Sequence, residues 1–118
     1  FSPDGRLIAT TGGDQTIRIW SFQNNPGTTI NAHTPPNSSF LRATVSPDGQ
    51  FIVSVGGDSL ANRVRLWDRN GTLLDTWEDS KNLFEHVTFS PDSKTLILTG
   101  SSSTKVWDLK GKQVADLD

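Results

Sequence analysis

Acidic and histidine side chains are the residues of this chain with the widest range of possible chemistry. Asp14 and Asp58 each end a Gly-Gly-Asp triplet, where a carboxylate could bind a metal ion or act as an acid. His33 and His86 are the only two histidines, and they are not paired at the spacing of a zinc site. Because Asp in a turn commonly accepts hydrogen bonds from nearby backbone, we predict structural roles for Asp14 and Asp58. We predict no metal or cofactor.

The sequence gives little support for nucleophilic catalysis, phosphate binding, nucleic-acid binding or membrane insertion. The chain has no Gly-x-Ser-x-Gly elbow and no cysteine, and its glycine pairs lack the lysine of a phosphate-binding loop. Its net charge is −2 and its basic residues are scattered, which disfavours a nucleic-acid partner. The apolar runs are far shorter than the roughly 18 residues of a membrane span. We predict a non-enzyme without nucleic-acid or membrane partners. Since no signal peptide is visible, we expect a cytoplasmic location.

The elements that position these residues follow an internal repeat. Ser-Pro-Asp turns begin at Ser2, Ser46 and Ser90, with a period of 44 residues, and a tryptophan follows each of these serines after 17 to 21 residues. A shared register of turn and aromatic residue indicates a repeat architecture. Polar and apolar residues alternate between the turns, as at Thr16–Trp20 and Arg63–Trp67, which predicts short half-buried strands. The sequence therefore predicts an all-β fold with four strands per unit.

The repeat divides the chain into units at residues 1–33, 34–78 and 79–118. The first unit lacks its N-terminal strand apart from Phe1, and the chain has no methionine, so we expect a fragment of a longer protein. Cut ends leave apolar faces and strand edges exposed, so we expect the remaining units or self-association to cover them. The connections at 31–40 and 58–62 are longer than their counterparts, and such insertions often lie on binding faces.

The Ser-Pro-Asp turns, the Gly-Gly-Asp triplets and the pairs Trp67-Asp68 and Trp107-Asp108 resemble the WD-repeat (tryptophan–aspartate repeat) β-propeller family. The resemblance extends over the whole chain. It implies a propeller fragment of three consecutive four-stranded antiparallel blades, with the first blade truncated at its N-terminal strand. Propellers close with about 4 to 8 blades, so three blades cannot close a ring alone.

The family often ties each blade together with a hydrogen-bonded set of His, Ser or Thr, Asp and Trp. By resemblance, the structural blade residues of this chain are Thr10, Asp14, Trp20, Ser54, Asp58, Trp67 and Trp107. The third blade has Leu98 at the hydroxyl position, and the Gly-His pair of the family is missing. The three tryptophans in register could instead stack on a ligand, but their fixed position favours core packing.

The resemblance also implies a non-catalytic protein-interaction scaffold with a protein or peptide partner. In the family, the loops between second and third strands and between blades commonly bind. Candidate partner-binding residues in the corresponding loops here are His33, Pro35, Pro36, Ser59, Leu60, Asn62, Trp77, Glu78 and Lys81. Trp77 lies outside the tryptophan register, so it is either an apolar residue of an outer strand or a partner contact.

Two other functions stay open. The chain could be a regulatory or sensor propeller domain fused to an enzyme or NTPase elsewhere in the parent chain, which a P-loop or protease motif in the flanking sequence would reveal. It could also be a propeller enzyme with its site in the central channel. For that role the innermost strands expected here, residues 40–45 and 84–89, offer only Glu85 and His86.

Overall fold

The computed structural model describes residues 1–12, 16–21, 25–31, 41–57, 62–79, 81, 84–100 and 103–117. These residues form eleven strands and no helix. The strands are β1 (Leu7–Thr11), β2 (Thr16–Ser21), β3 (Asn25–Asn31), β4 (Leu41–Val45), β5 (Phe51–Gly57), β6 (Asn62–Asp68), β7 (Leu73–Asp79), β8 (Phe84–Phe89), β9 (Thr95–Gly100), β10 (Thr104–Asp108) and β11 (Gln113–Asp116).

The strands form three antiparallel sheets in which neighbours in sequence are neighbours in space. The first sheet has three strands (β1–β3), and the second (β4–β7) and third (β8–β11) have four each. This arrangement confirms the predicted all-β fragment with a truncated first blade. The edge of β1 that corresponds to the positions of β4 and β8 in the other two sheets is not paired with any strand among the described residues.

Alternation along β5 shows why the second sheet lies in the middle. Ile52 and Ser54 point to one face of the sheet, and Val53 and Val55 point to the other, as the two-residue period of a strand requires. All four side chains are buried. A strand that is buried on both faces must be covered on both, and β5 therefore has a neighbouring sheet on each side.

Two hydrophobic clusters join the three sheets. In the first cluster, Leu7, Ile17 and Ile19 of the first sheet pack against residues of the second sheet, including Ile52 and Trp67. In the second cluster, the opposite face of the second sheet packs against the third; its buried residues are Val53, Val55, Val64, Leu66, Phe84, Phe89, Leu96, Leu98 and Trp107. Each interface receives one tryptophan from the sheet that follows in sequence.

The second interface also holds an aromatic group built from both sheets. The ring of Trp107 meets Trp77 edge-on, with centroids 6.4 Å apart and an interplanar angle of 87°. Phe84 meets Trp107 in the same way at 5.7 Å. Edge-to-face pairs of this kind are worth about 0.5–1.5 kcal/mol beyond the area that they bury. Trp77 also covers the backbone of Gly111, because a Cβ at Gly111 would overlap the indole ring.

We predict that Gly111→Ala destabilises the protein more than Gly5→Ala. Both glycines have positive φ, 81° and 72°, so alanine at either site costs about 1–2 kcal/mol in backbone strain. A Cβ at Gly5 meets open space, whereas a Cβ at Gly111 displaces the ring of Trp77. This displacement lowers the free energy of unfolding by a further ~1–3 kcal/mol. Urea unfolding measures both losses. Equal losses would show that the contact between Trp77 and Gly111 does not stabilise the interface.

Candidate functional site

The three Ser-Pro-Asp turns share one hydrogen-bond network. In the first turn, the Ser2 hydroxyl donates to Asp4 Oδ1 at 2.6 Å, and that carboxylate accepts from the backbone N–H of Arg6 at 3.0 Å. The Ser2 oxygen also accepts from the N–H of Leu7 at 3.0 Å. The turns at Ser46 and Ser90 repeat each of these bonds within 0.1 Å. Each turn thus satisfies its own polar groups and fixes the strand that follows it.

The second and third turns are also bonded to each other. Ser93 has a φ of 61°, in the left-handed region, where the first two turns have Gly5 and Gly49 at 72°. Its hydroxyl oxygen accepts from the backbone N–H of Asp48 at 3.1 Å, across the sheet interface. A glycine could not make this bond. The hydrogen bond between sheets offsets the strain of a non-glycine residue at this turn position.

Two further aspartates stabilise hairpin turns at the same end of the sheets. Asp68 Oδ1 accepts from the N–H groups of Asn70 and Thr72, both at 2.9 Å. Asp108 Oδ1 accepts from Lys110 at 2.8 Å and from Lys112 at 3.0 Å. In the sequence these residues stand out only as members of Trp-Asp pairs. The signal for their role was the glycine three residues later, which marks a hairpin turn with positive φ. We call this end of the sheets the turn face and the opposite end the loop face.

The predicted link between tryptophan and hydroxyl residue is present in two of the three sheets. Trp67 Nε1 donates to Ser54 Oγ at 3.0 Å in the buried first interface. Trp20 Nε1 donates to Thr10 Oγ1 at 3.3 Å. In the third sheet, Leu98 occupies the corresponding position, and Trp107 Nε1 is buried with no hydrogen-bond partner among the described residues. Asp14 and Asp58, the predicted aspartates of this set, lie outside the described residues.

Trp20 differs from the expectation that all three tryptophans are core residues. Trp67 and Trp107 are 5% and 6% exposed, but Trp20 is 45% exposed. Trp67 and Trp107 each lie against the preceding sheet. Trp20 is on the face of the first sheet turned away from the second, and no described residues pack there as a sheet. The register fixes the position of the tryptophan, while its burial depends on a neighbouring sheet.

The structure places the candidate partner-binding residues in different environments. Trp77 is half-buried and contacts Trp107, so it serves the sheet interface rather than a free loop. Glu78 accepts a hydrogen bond from Arg63 Nε at 3.1 Å across β6 and β7, while its side chain remains 60% exposed. Lys81 is exposed, and its N–H donates to Asp79 Oδ1 at 2.8 Å. Asn62 begins β6 at the loop face. His33, Pro35, Pro36, Ser59 and Leu60 lie outside the described residues.

The part of the chain that the structure describes contains no assembled metal site. Within it, no group of three or more His, Asp or Glu side chains is placed to hold a metal ion. Glu85 and His86 are exposed neighbours on β8, where a bulge interrupts the pairing with β9.

The described residues contain no helix long and apolar enough to span a membrane.

The turn aspartates are held in their charged form. The hydroxyl of Ser2 is the main cause that lowers the pKa of Asp4, followed by the backbone N–H of Arg6. The pKa values of Asp48 and Asp92 are lowered in the same way, first by Ser46 and Ser90. The N–H of Lys112 is the first cause of the lowered pKa of Asp108. The charged form of each carboxylate is therefore more stable in the folded chain than in the unfolded chain.

Comparison with known proteins places these features in a family. The model of the WD40 family (WD domain, G-beta repeat) matches residues 1–21 and 24–68, more than half of the chain. The match ends at Asp68, yet the third sheet repeats the turn network of the first two. A search of curated proteins finds no match.

We predict that Ser54→Ala destabilises the protein by about 1–3 kcal/mol, because it leaves the buried N–H of Trp67 without an acceptor. Thr10→Ala is the matched control. It removes the equivalent bond from Trp20, whose exposed indole can donate to water instead, so its effect should be clearly smaller. Urea unfolding of both variants gives the comparison. A larger loss for Thr10→Ala would contradict the role assigned to the buried bond.

We predict that acid destabilises the protein through the turn aspartates. Their folded pKa values lie below the usual 3.8, so the unfolded chain binds more protons in this range. The stabilisation is present above pH 3.8 and is lost as the pH falls through the folded pKa values. Urea midpoints measured from neutral to acidic pH test this. Asp4→Asn keeps an acceptor oxygen but removes one titrating group, so it should flatten the pH dependence; an unchanged slope would contradict the assignment.

Proposed function

The chain belongs to the WD-repeat family, and from this premise we propose that it is part of a non-catalytic protein-interaction scaffold within a larger propeller. WD40 repeats generally are protein-interaction scaffolds. We place its blades at residues 1–33, 34–78 and 79–118; the first and third sheets lie within these ranges, and β7 of the second sheet extends one residue further, to Asp79. The partner is a protein or peptide that binds at the loop face.

The observation that supports this proposal most is the difference between the two ends of the sheets. At the turn face, three Ser-Pro-Asp turns of identical length repeat the same bonds, and two hairpins are held by Asp68 and Asp108. At the loop face, the connections differ in length from one repeat to the next. Loops that vary on a conserved framework can acquire binding residues without disturbing the core.

Charged residues at the described part of the loop face provide candidate contacts. Glu78 and Lys81 are both exposed, so a negative and a positive charge lie within a short stretch of chain. Because Trp77 also packs against Trp107, we assign partner contact first to Glu78 and Lys81, and to the nominated loops around them.

We predict that Lys81→Glu weakens binding of a protein partner, whereas Lys94→Glu does not. Both lysines are exposed, but Lys81 follows β7 at the loop face and Lys94 lies in a turn at the opposite face. A partner is first captured by a photo-crosslinking residue placed at position 81 in the full-length protein. Its affinity for the two variants is then measured by titration calorimetry. A charge reversal at a binding surface should weaken affinity about tenfold or more.

Two results would contradict the proposal. One is a partner whose affinity falls with Lys94→Glu and stays unchanged with Lys81→Glu, which would place binding at the turn face. The other is full-length protein that gives no crosslink from position 81 while crosslinking efficiently from position 94. Circular dichroism of both variants shows whether the fold is retained, which is expected because neither side chain is buried.

A further inference from the structure

Turns at the turn face contain glycines with positive φ, and the residue before each glycine decides what covalent chemistry the turn can undergo. The dipeptides are Asp4-Gly5, Asp48-Gly49, Asn70-Gly71 and Lys110-Gly111. A glycine has no side chain to shield its backbone nitrogen from the side chain before it. That nitrogen can therefore attack the carbonyl carbon of a preceding aspartate or asparagine, whereas a lysine side chain has no carbonyl carbon. Asn70 is the only asparagine of the sequence that is followed by glycine.

The two aspartates in these dipeptides resist such an attack, because their carboxylates are charged and hydrogen-bonded. The hydroxyl of Ser2 donates to Asp4 and the hydroxyl of Ser46 donates to Asp48, both at 2.6 Å. These bonds lower the pKa of both carboxyl groups, so both stay ionised near neutral pH. The negative charge of a carboxylate makes its carbon a poor electrophile.

The side chain of Asn70 lacks both the negative charge and the hydrogen bond. It is a neutral carboxamide, it is exposed, and it makes no hydrogen bond to another described residue. The N–H of Gly71, which carries the attacking nitrogen, donates to the backbone carbonyl of Asp68 at 3.1 Å. Asp68 Oδ1 also accepts from the N–H groups of Asn70 and Thr72 and so closes the turn. The nitrogen becomes available when the turn opens locally, and exposed turns open more readily than the core.

We propose that Asn70 is a site of spontaneous modification, in which deamidation converts it to aspartate and isoaspartate at a rate that the Asp68 turn limits. The Gly71 nitrogen gives its proton to a solvent base and forms a bond to Cγ of Asn70, and the side-chain nitrogen leaves as ammonia. Water then opens the cyclic imide. Cleavage between Cγ and the nitrogen gives aspartate. Cleavage between the backbone carbonyl carbon and the nitrogen gives isoaspartate, whose chain runs through Cβ and Cγ. Water is the only reactant consumed.

Both products change the turn and the strand that follows it. Each adds a negative charge close to the carboxylate of Asp68, and like charges repel. Isoaspartate also lengthens the backbone by a methylene between Asp68 and Thr72, which are hydrogen-bonded to each other. Since β7 begins at Leu73, a loosened turn should weaken the pairing of β6 with β7. The site lies within the second sheet, so it depends neither on the two ends of the stack nor on the loop face proposed for a partner.

Incubation of the full-length protein at mildly alkaline pH tests the proposal, with peptide mass spectrometry that separates aspartate from isoaspartate. We expect both products at Asn70, ahead of any conversion of Asn62, which is followed by arginine. Unfolding in guanidinium chloride should speed the conversion, because the turn then no longer holds the N–H of Gly71. Folded protein in which Asn70 stays intact for as long as its conversion takes in denaturant overturns the proposal.

Matched variants test the part played by the turn. Asp68→Ala removes the acceptor of two N–H bonds beside Asn70, and Asp108→Ala removes the same bonds from the corresponding turn of the third sheet. Loss of one hydrogen bond shifts an opening equilibrium by about fivefold, so Asp68→Ala should deamidate at least about fivefold faster than wild type. Asp108→Ala should react at the wild-type rate.

Circular dichroism shows whether these variants are folded. Asp68→Asn keeps an uncharged acceptor oxygen, so it should give a smaller acceleration and replaces Asp68→Ala if the alanine variant is unfolded. A folded Asp68 variant that deamidates at the wild-type rate overturns the role of the turn. Equal acceleration by Asp108→Ala does so as well, because it would show that opening of the whole protein, rather than of this turn, limits the reaction.

Discussion

Burial of each sheet face against the next sheet is the interaction on which the rest of this structure depends. A sheet of three or four strands has no interior of its own, so its apolar residues leave water only when a second layer covers them. The second sheet shows the requirement clearly, because residues such as Ile52 and Val53 face in opposite directions and are both buried. Burying one such side chain is worth about 1.5–3 kcal/mol, more than the net 0.5–1.5 kcal/mol of a hydrogen bond. The turn networks therefore set the geometry of the stack, and apolar packing supplies most of its stability.

Much of this framework could be predicted from the sequence because it is local. A Ser-Pro-Asp turn bonds its own hydroxyl, carboxylate and backbone within five residues, so the pattern carries its structure wherever it occurs. The turns held by Asp68 and Asp108 also depend only on nearby residues, and the glycine three residues after each aspartate predicts them. Contacts that depend on a neighbouring sheet were harder to predict from the sequence. The position of Trp20 could be predicted but its exposure could not, and the sequence left Trp77 open between an outer-strand residue and a partner contact.

The third sheet shows that one member of a repeated hydrogen bond can be lost while the fold is retained. Leu98 replaces the hydroxyl residue and leaves the buried Nε1 of Trp107 without a partner among the described residues, at a cost of about 1–3 kcal/mol. Leu98 is itself fully buried, and Phe84 and Trp77 both meet the Trp107 ring edge-on. These apolar contacts are of the same magnitude as the lost bond, so they offset it. The replacement of the hydroxyl residue by Leu98 was visible in the sequence. The apolar contacts that offset the lost hydrogen bond could be identified only from the positions of Phe84 and Trp77 in the structure.

The candidate binding residues were the least predictable part, for a physical reason. Loops at strand ends do not contribute to the apolar faces, so the constraints that make the turns and tryptophans recognisable do not act on them. Their sequences can change with the partner while the sheets stay the same. The same separation means that a further blade packed on Trp20 and the partner proposed at Lys81 would not compete, because the blade would cover a sheet face and the partner would contact a strand end. A ring completed by stacking would thus present the loops of every blade on one side, and partner contacts could extend over several blades.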